Sequence, residues 1–170
     1  MAITQFFASH QFDLPRFEHH PAQSCAEFQA LAPHIPGTRN KNLFLRDKKG
    51  MRHLLVIVPP HLSVDLDALS QMLGVKRLGL ASKERLKKFL GVNTGSVSVL
   101  SLLNDTLNKV ELIIDRTIWH AEAIQAHPLI NTQTVVISKP ELERFLSKTG
   151  HHPTILNIPG TSSVLGTPEV

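Results

Sequence analysis

The segment from residue 41 to residue 58 reads KNLFLRDKKGMRHLLVIV, and its pattern decides the fold. Its two apolar runs, LFL and LLVIV, are continuous rather than alternating, which is typical of strands that are covered on both faces. The charged turn Asp47-Lys48-Lys49-Gly50 lies between them and ends in a glycine that suits a tight connection. The segment therefore predicts a β-hairpin whose strands occupy residues 41–46 and 53–58.

On either side of this hairpin, the chain alternates strand-like and helix-like segments, which indicates mixed α and β structure. Three further strands are predicted, at 110–115, 134–138 and 154–158. Apolar spacing and capping residues predict five helices, at 3–10, 24–31, 65–73, 82–90 and 138–150. Ser138, with Glu141 three residues later, forms a capping-box pattern for the last helix. The predicted fold class is α/β (α+β), with helices wrapped around a central, mixed and mostly antiparallel sheet.

The composition indicates one globular domain, because 42% of the 170 residues are hydrophobic and 19% are charged. The single cysteine, Cys25, excludes an internal disulfide and a zinc site built on cysteines. The N-terminus lacks a signal-peptide pattern, and no apolar run approaches the ~20 residues of a membrane span. We therefore expect a cytoplasmic protein without membrane contact. Residues 1–160 form the predicted domain, and residues 161–170 a flexible tail.

Charge and motifs alone leave the function open. The net charge of +4 suits a partner that carries phosphates, but basic proteins that bind no nucleic acid are equally common. The chain contains no phosphate loop, dinucleotide fingerprint, nucleophile elbow or zinc helix. Adjacent histidines on a strand point to opposite faces, so neither His19-His20 nor His151-His152 forms a two-ligand clamp. No metal and no cofactor are predicted.

The most informative polar segment is 37–42, GTRNKN, which leads directly into the apolar strand. A lysine at the mouth of a buried strand is partly desolvated and can position an ester or a phosphate. Lys41 and Asn42 are therefore candidate catalytic residues, and Thr38 is a candidate substrate-binding residue. The alternative is a solvated charge that protects the strand from aggregation.

Two further segments supply candidate binding residues. In 127–132, HPLINT, the proline restricts the residue before it, so His127 should be held in one orientation near Asn131. His127 can bind or exclude a small group or transfer a proton, although a lone histidine is more often a structural hydrogen-bonding group. In 91–97, GVNTGSV, Gly95 and Ser96 can present backbone N–H groups to an oxyanion, or can simply form a glycine-rich connection.

These segments, in this order, carry a family resemblance. KNLFLRDKKG (41–50), GVNTGSV (91–97) with LLND (102–105), and HPLINTQT (127–134) resemble the bacterial prolyl-tRNA editing family, which is YbaK-like, and in particular its free-standing alanyl-tRNA(Pro) deacylases. The resemblance covers residues 15–158 and includes ASKERL (81–86). It implies a central sheet wrapped by helices, with the active site in a cleft beside the sheet.

The resemblance also implies the reaction, which is hydrolysis of the ester between alanine and the 3′-terminal adenosine of a proline tRNA, without a metal. In this family, the lysine that matches Lys41 is a key active-site group, and the asparagine that matches Asn42 accompanies it. The histidine that matches His127 helps to exclude larger side chains. Backbone amides hold the substrate carbonyl, and a hydroxyl of the terminal ribose assists the attacking water. The implied partners are the acceptor end of a mischarged tRNA and prolyl-tRNA synthetase.

One departure from the family pattern bears on the substrate. The family continues Thr-Pro-Phe after the GSV of residues 95–97, whereas this chain has Ser98-Val99-Leu100, and we expect this change to reshape a wall of the amino-acid pocket. Two alternatives therefore stay open: deacylation of another small residue, such as serine, cysteine or a non-protein amino acid, or a binding module without catalysis. The cations Lys83, Arg85, Lys87 and Lys88 are predicted to form a phosphate-facing surface. The alternative is that they are simply the solvated side of a helix.

Overall fold

The computed structural model describes residues 2–22 and 24–161, with the exception of the side chain of Cys25. The predicted flexible tail lies outside the described residues, apart from residue 161. Within the described part of the chain, no helix is long and apolar enough to cross a membrane. The helices are α1 Ile3–Ser9, α2 Cys25–Leu31, α3 Leu66–Leu73, α4 Lys83–Leu90, α5 Arg116–Trp119, α6 Lys139–Thr149 and a 3-10 helix at Val99–Asn104.

The strands form two sheets. They are β1 Arg16–Glu18, β2 Lys41–Arg46, β3 His53–Val58, β4 Gly79–Leu80, β5 Val110–Asp115, β6 Ala123–Ala126, β7 Gln133–Ser138 and β8 Thr154–Leu156. The larger sheet has the order β4-β2-β3-β5-β8, and the smaller one has the order β1-β7-β6. An isolated parallel bridge between Thr38 and Ile124 links them.

The predicted hairpin is confirmed. β2 and β3 pair antiparallel from Lys41 opposite Val58 to Arg46 opposite His53. β4 pairs antiparallel with β2, whereas β5 and β8 continue the sheet in parallel. All pairs of the smaller sheet are antiparallel. The expected mixed and mostly antiparallel architecture is thus confirmed, with the difference that the strands divide between two sheets.

The larger sheet is buried on both faces, as its continuous apolar runs predict. Phe44, Leu55 and Ile57 belong to the main core, which also contains buried residues of α1, α4, α6 and the 3-10 helix. Leu43 and Leu54 point the other way, into a second core that α3 covers. β2 is therefore buried from Lys41 to Leu45, and only its last residue, Arg46, is partly exposed.

Side-chain caps fix the ends of the predicted helices. Ser82 accepts a hydrogen bond from the backbone N–H of Arg85 at 3.2 Å, and Ser138 accepts one from that of Glu141 at 3.4 Å. The predicted capping box at Ser138 is only half formed, because its hydroxyl donates to the Glu141 carboxylate at 2.9 Å. A complete capping box occurs instead at Ser98, which begins the 3-10 helix.

Candidate active site

An open cavity of about 360 Å³ lies where the two sheets meet. Its walls come from the start of β2, the loop that follows α4, the end of β6 and the loop between β6 and β7, with Phe28 of α2 on one side. Five residues that the sequence analysis singled out line it: Lys41, Asn42, Gly95, His127 and Asn131. The fold therefore brings together segments that are up to 90 residues apart in the chain.

Thr38 and Ser96, the other two predicted binding residues, do not line the cavity. The Thr38 N–H donates to the carbonyl of Ala123 at 2.9 Å, and the Thr38 carbonyl accepts the Gln125 N–H at 3.0 Å. The Ser96 N–H donates to the carbonyl of Asn93 at 3.1 Å. The Thr38 bonds join the segment before β2 to β6, whereas the Ser96 bond lies within the loop that follows α4. Gly95, by contrast, reaches the lining with a φ of +90°, a conformation that a glycine adopts without strain.

Lys41 is buried beside the cavity, with only 6% of its surface exposed. The alternative of a freely solvated charge at the edge of the sheet is therefore wrong. Lys41 also lines the cavity, so a group bound there lies beside this residue.

A network of amides shapes the floor of the cavity. The Gln125 side-chain amide donates to the carbonyls of Ile35 at 2.9 Å and Pro36 at 3.1 Å. Because carbonyl oxygens only accept, these bonds fix which way the amide points. The Asn40 side-chain amide donates to the backbone carbonyl of Gln125 at 2.9 Å. The start of β2 is therefore held against β6.

Unmet hydrogen-bonding capacity is concentrated at this cavity. Within residues 2–22 and 24–161, the buried side-chain polar atoms without a partner are Arg39 Nη1, Asn42 Oδ1 and Gln125 Oε1, and all three residues line the cavity. Asn42 is 9% exposed and Gln125 is 6% exposed. Native structures pair nearly all such groups, so these three atoms are available to ordered water or to a polar ligand in the cavity.

Two hydrogen bonds fix the position of His127. Its Nδ1 donates to the carbonyl of Gln133 at 3.1 Å, and its own carbonyl accepts the Ser98 hydroxyl at 2.6 Å. Burial lowers the pKa of His127 below its usual value against the opposing effect of the hydrogen bond to Gln133, and the nearby His19 lowers it further. His127 is therefore both a structural hydrogen-bonding group and a fixed wall of the cavity, as the sequence left open.

The structure adds a second histidine that the sequence analysis did not connect with the site. His19 Nδ1 donates to the carbonyl of His20 at 2.9 Å, and His19 Nε2 lies 2.8 Å from the hydroxyl of Thr134, which lines the cavity. The Phe28 ring packs edge-on against both imidazoles, with ring centroids 4.8 Å from His19 and 5.9 Å from His127. No local motif could reveal this pair, because 115 residues separate His19 from Thr134.

The effect of the Ser98-Val99-Leu100 departure on the pocket stays a prediction, because none of the three residues itself lines the cavity. Val99 and Leu100 are 1% and 0% exposed and belong to the main core, and neither lines the cavity. The Ser98 hydroxyl donates a hydrogen bond to the carbonyl of His127, which does line the cavity. The nearby apolar lining comes from Val97 and Ala126 instead.

Titratable side chains elsewhere form a structural pair rather than a metal site. His151 Nε2 lies 2.9 Å from Asp105 Oδ2, and both side chains are buried. The Asp105 carboxylate also accepts the N–H groups of Lys109 and Val110, at 2.9 and 2.8 Å. Among the described residues, no group of three or more His, Cys, Asp or Glu side chains could hold a metal ion.

Most of the chain is similar in sequence to an editing domain. The family model for the aminoacyl-tRNA editing domain matches residues 19–145. The prolyl-tRNA editing protein ProX of Acetoanaerobium sticklandii is 34% identical over 134 residues, which cover 79% of this chain and 82% of that protein. The prolyl-tRNA synthetase associated domain-containing protein 1 of Danio rerio is 34% identical over 157 residues, which cover 91% of this chain and 85% of that protein.

Solved structures share the fold. A crystal structure described as a candidate trans-editing enzyme for prolyl-tRNA synthetase superposes with a TM-score of 0.65 at 19% identity, covering 93% of this chain and 96% of that one. The crystal structure of a hypothetical protein superposes with a TM-score of 0.69 at 16% identity, covering 90% and 97%. At these identities, the likeness establishes the arrangement of helices and strands.

Proposed function

The chain belongs to the aminoacyl-tRNA editing domain family, and from this premise we propose that it hydrolyses the ester that joins a wrongly attached alanine to the 3′ end of a proline tRNA. The observation that carries the proposal is the cavity in which Lys41, Asn42 and His127 meet beside unpaired polar atoms. The substrate partner is then a mischarged tRNA. The names of the vertebrate relatives also make prolyl-tRNA synthetase a candidate partner.

The size of the cavity suits the small aminoacyl end of a tRNA. Ligand sites usually enclose about 300–1,000 Å³, so a volume of about 360 Å³ suits an aminoacyl ester with its ribose. The remainder of the tRNA would then lie outside. The opening of the cavity to solvent gives the ester a path of entry and gives water access to its carbonyl.

The proposed reaction needs no covalent intermediate. A water oxygen attacks the ester carbonyl, the bond to the ribose oxygen breaks, and the ribose hydroxyl regains a proton as alanine leaves. The Lys41 ammonium and backbone N–H groups of the Gly95 loop stabilise the developing oxyanion, because fixed dipoles and charges act strongly in a water-poor site. Asn42 orients the ester, and a hydroxyl of the terminal ribose assists the attacking water.

Selectivity for alanine over proline is proposed to come from shape. Phe28, Val97 and Ala126 supply apolar walls, and His127 is locked by two hydrogen bonds, so that it cannot retreat from a larger side chain. A synthetase pocket rejects a smaller residue poorly, since each missing methylene discriminates by only about 1–3 kcal/mol. A second site that is too small for proline corrects the resulting errors.

The deciding experiment measures the release of labelled alanine from Ala-tRNA(Pro), with Pro-tRNA(Pro), Ser-tRNA and Cys-tRNA(Pro) assayed alongside. Fast loss of alanine with proline spared is the expected result. Preferred release of serine or cysteine would support the proposed ester hydrolysis but reject alanine as the substrate. Binding of tRNA without hydrolysis of any ester would reject the enzymatic proposal in favour of a binding module.

A further inference from the structure

The 3-10 helix at Val99–Asn104 is hydrogen-bonded at both ends to segments that form walls of the cavity, although none of its own residues lines the cavity. At its start, the hydroxyl of Ser98 donates to the carbonyl of His127, which lines the cavity. At its end, the side-chain amide of Asn104 donates to the carbonyl of Leu90, where α4 ends and the loop that lines another wall begins. The helix therefore connects two walls that come from different parts of the chain.

The 3-10 helix is itself held firmly. Val99, Leu100 and Leu102 are 1%, 0% and 0% exposed and belong to the main core. The capping box closes the start of the helix, because the Ser98 N–H donates to Ser101 Oγ at 3.1 Å and Ser98 Oγ accepts the N–H of Leu100 at 3.2 Å. A close-packed and capped helix has little freedom to shift, so groups that are bonded to it are held in place.

The bond from Ser98 to His127 has a fixed direction. A hydroxyl has one proton, and Ser98 donates it to the His127 carbonyl at 2.6 Å while its oxygen accepts from the cap. β6 ends at Ala126, so the His127 carbonyl lies beyond the paired strand. Ser98 thus holds the backbone from which the His127 ring projects, and the ring Nδ1 is held separately by the carbonyl of Gln133 at 3.1 Å.

The other end of the helix fixes the root of the loop that carries Gly95 and Val97 into the lining. Asn104 Nδ2 donates to the Leu90 carbonyl at 2.9 Å, across a separation of 14 residues. Gly91 has a φ of +67°, and a Cβ at this position would lie 2.8 Å from Asn104 Nδ2, so the glycine leaves room for the bond. The loop therefore leaves α4 at a fixed point and returns to the helix that holds His127.

We propose that the 3-10 helix couples these two walls at one separation, and that Ser98 is a positioning residue for selectivity, which acts through His127. This inference rests on the proposed function. Rejection of proline by size requires a wall that does not move away from the larger side chain. His127 has one anchor on its ring and one on its backbone, so loss of the Ser98 hydroxyl leaves only the ring anchor.

The test compares Ser98→Ala with a matched loss of another buried serine. The Ser70 hydroxyl donates to the carbonyl of Leu66 at 2.6 Å and accepts the N–H of Leu78 at 3.0 Å, in a helix that does not line the cavity. Ser70→Ala therefore removes a bond of the same kind and length away from the cavity. Ser98→Thr keeps the hydroxyl and is the conservative variant. Asn104→Ala releases the other end of the helix at an exposed position.

Three quantities are measured for each protein: kcat/KM for Ala-tRNA(Pro), kcat/KM for Pro-tRNA(Pro), and the hydrogen exchange of the backbone amides of residues 129–133 by mass spectrometry. In Ser98→Ala, hydrolysis of the prolyl relative to the alanyl ester should rise about fivefold, the factor that a single net hydrogen bond represents. The exchange should become faster in the same variant. Asn104→Ala should shift the ratio in the same direction, and Ser98→Thr and Ser70→Ala should keep the wild-type ratio.

A double variant tests whether Ser98 acts through His127. Once the imidazole is absent, the position of its backbone no longer affects the pocket wall. Ser98→Ala/His127→Ala should therefore have the ratio of His127→Ala alone within about twofold, because effects that share one route are not additive. A further fivefold rise in the double variant would overturn the role of His127 as the intermediary.

The outcomes separate this proposal from the proposed function. If the wild type hydrolyses Ala-tRNA(Pro), an unchanged ratio in Ser98→Ala, or an equal rise in Ser70→Ala, would overturn the coupling and leave the deacylase standing. If Ser98→Ala does not fold, an unchanged ratio in Asn104→Ala overturns it in the same way. If the wild type hydrolyses neither ester, the proposed function is rejected. Faster exchange in Ser98→Ala than in Ser70→Ala would then still support the coupling of the walls, and equal exchange would overturn it.

Discussion

The side-chain amide of Asn40 donates a 2.9 Å hydrogen bond to the backbone carbonyl of Gln125, which joins the segment leading into β2 to β6 of the other sheet. Both residues line the cavity. The neighbouring Thr38 backbone bonds to Ala123 and Gln125 and bridges the two sheets at the same place. These polar contacts fix the two cavity walls locally, in addition to the main core, which contains residues of both sheets.

We expect Asn40→Ala to lower kcat/KM for the aminoacyl ester by about tenfold and the free energy of unfolding by only about 1 kcal/mol. The cavity walls lose a contact that fixes their spacing, whereas the two hydrophobic cores are untouched. Asn93→Ala, at an exposed position near the cavity loop, is the control and should change neither quantity. Wild-type turnover in Asn40→Ala would show that this contact does not organise the site.

Much of the fold follows from local pattern. The β2–β3 hairpin could be predicted because its apolar runs are uninterrupted. The helices could be predicted because serines such as Ser82 precede them and glycines such as Gly91 follow them. Three short strands were not predicted. β1, β4 and β6 have three, two and four residues, so their sequences contain no apolar run that distinguishes them from loops.

The candidate site was only partly predictable for a related reason. Lys41 and His127 stood out because each is polar at the edge of an apolar or proline-restricted segment. Gln125 and Thr134 did not, since their partners lie 90 and 115 residues away and only the folded sheets bring them together. Thr38 and Ser96 were selected for their type, but their backbones serve the scaffold.

Replacement of Lys41 should separate catalysis from folding. We expect Lys41→Met, which keeps the length of the side chain and removes the ammonium, to reduce kcat/KM by about 100-fold or more, because an oxyanion stabiliser is lost. Since Lys41 belongs to neither hydrophobic core, the variant should still fold and unfold cooperatively on heating. The control is Lys109→Met at an exposed position. Undiminished deacylation by Lys41→Met would place the chemistry elsewhere.

Two substitutions of His127 should distinguish size exclusion from proton transfer. His127→Ala removes a wall, so hydrolysis of Pro-tRNA(Pro) relative to Ala-tRNA(Pro) should rise by about tenfold or more. His127→Phe keeps a ring of similar size without nitrogen atoms and should keep the selectivity. His152→Ala, at an exposed position, is the control. Loss of all turnover in His127→Phe would instead indicate that the imidazole transfers a proton.

The Thr134–His19 pair permits a test for a covalent route. An imidazole 2.8 Å from a hydroxyl resembles a base and its nucleophile, but Thr134 is only 1% exposed. We therefore expect the isosteric variant Thr134→Val to retain turnover within about threefold, whereas loss of a true nucleophile costs more than about 1,000-fold. Trapping of an alanyl-enzyme ester on the wild-type protein would contradict attack by water.

Protonation of His53 should destabilise the fold in acid. Burial lowers the pKa of His53 below its usual 6.5, and the nearby positive charges of Arg85, Lys88 and Arg46 lower it further, against the opposing effect of Asp47. The unfolded chain therefore binds more protons than the folded one below pH 6.5. The contribution of neutral His53 to the free energy of unfolding is fully present above that pH and is lost as pH falls through the folded pKa.

The variant His53→Gln tests this expectation, because its side-chain oxygen can still accept the Arg85 hydrogen bond but cannot titrate. Chemical unfolding measured between pH 7.5 and about pH 5 should show a flatter profile for this variant than for the wild type. Parallel profiles would mean that other groups, such as His127, dominate the acid sensitivity.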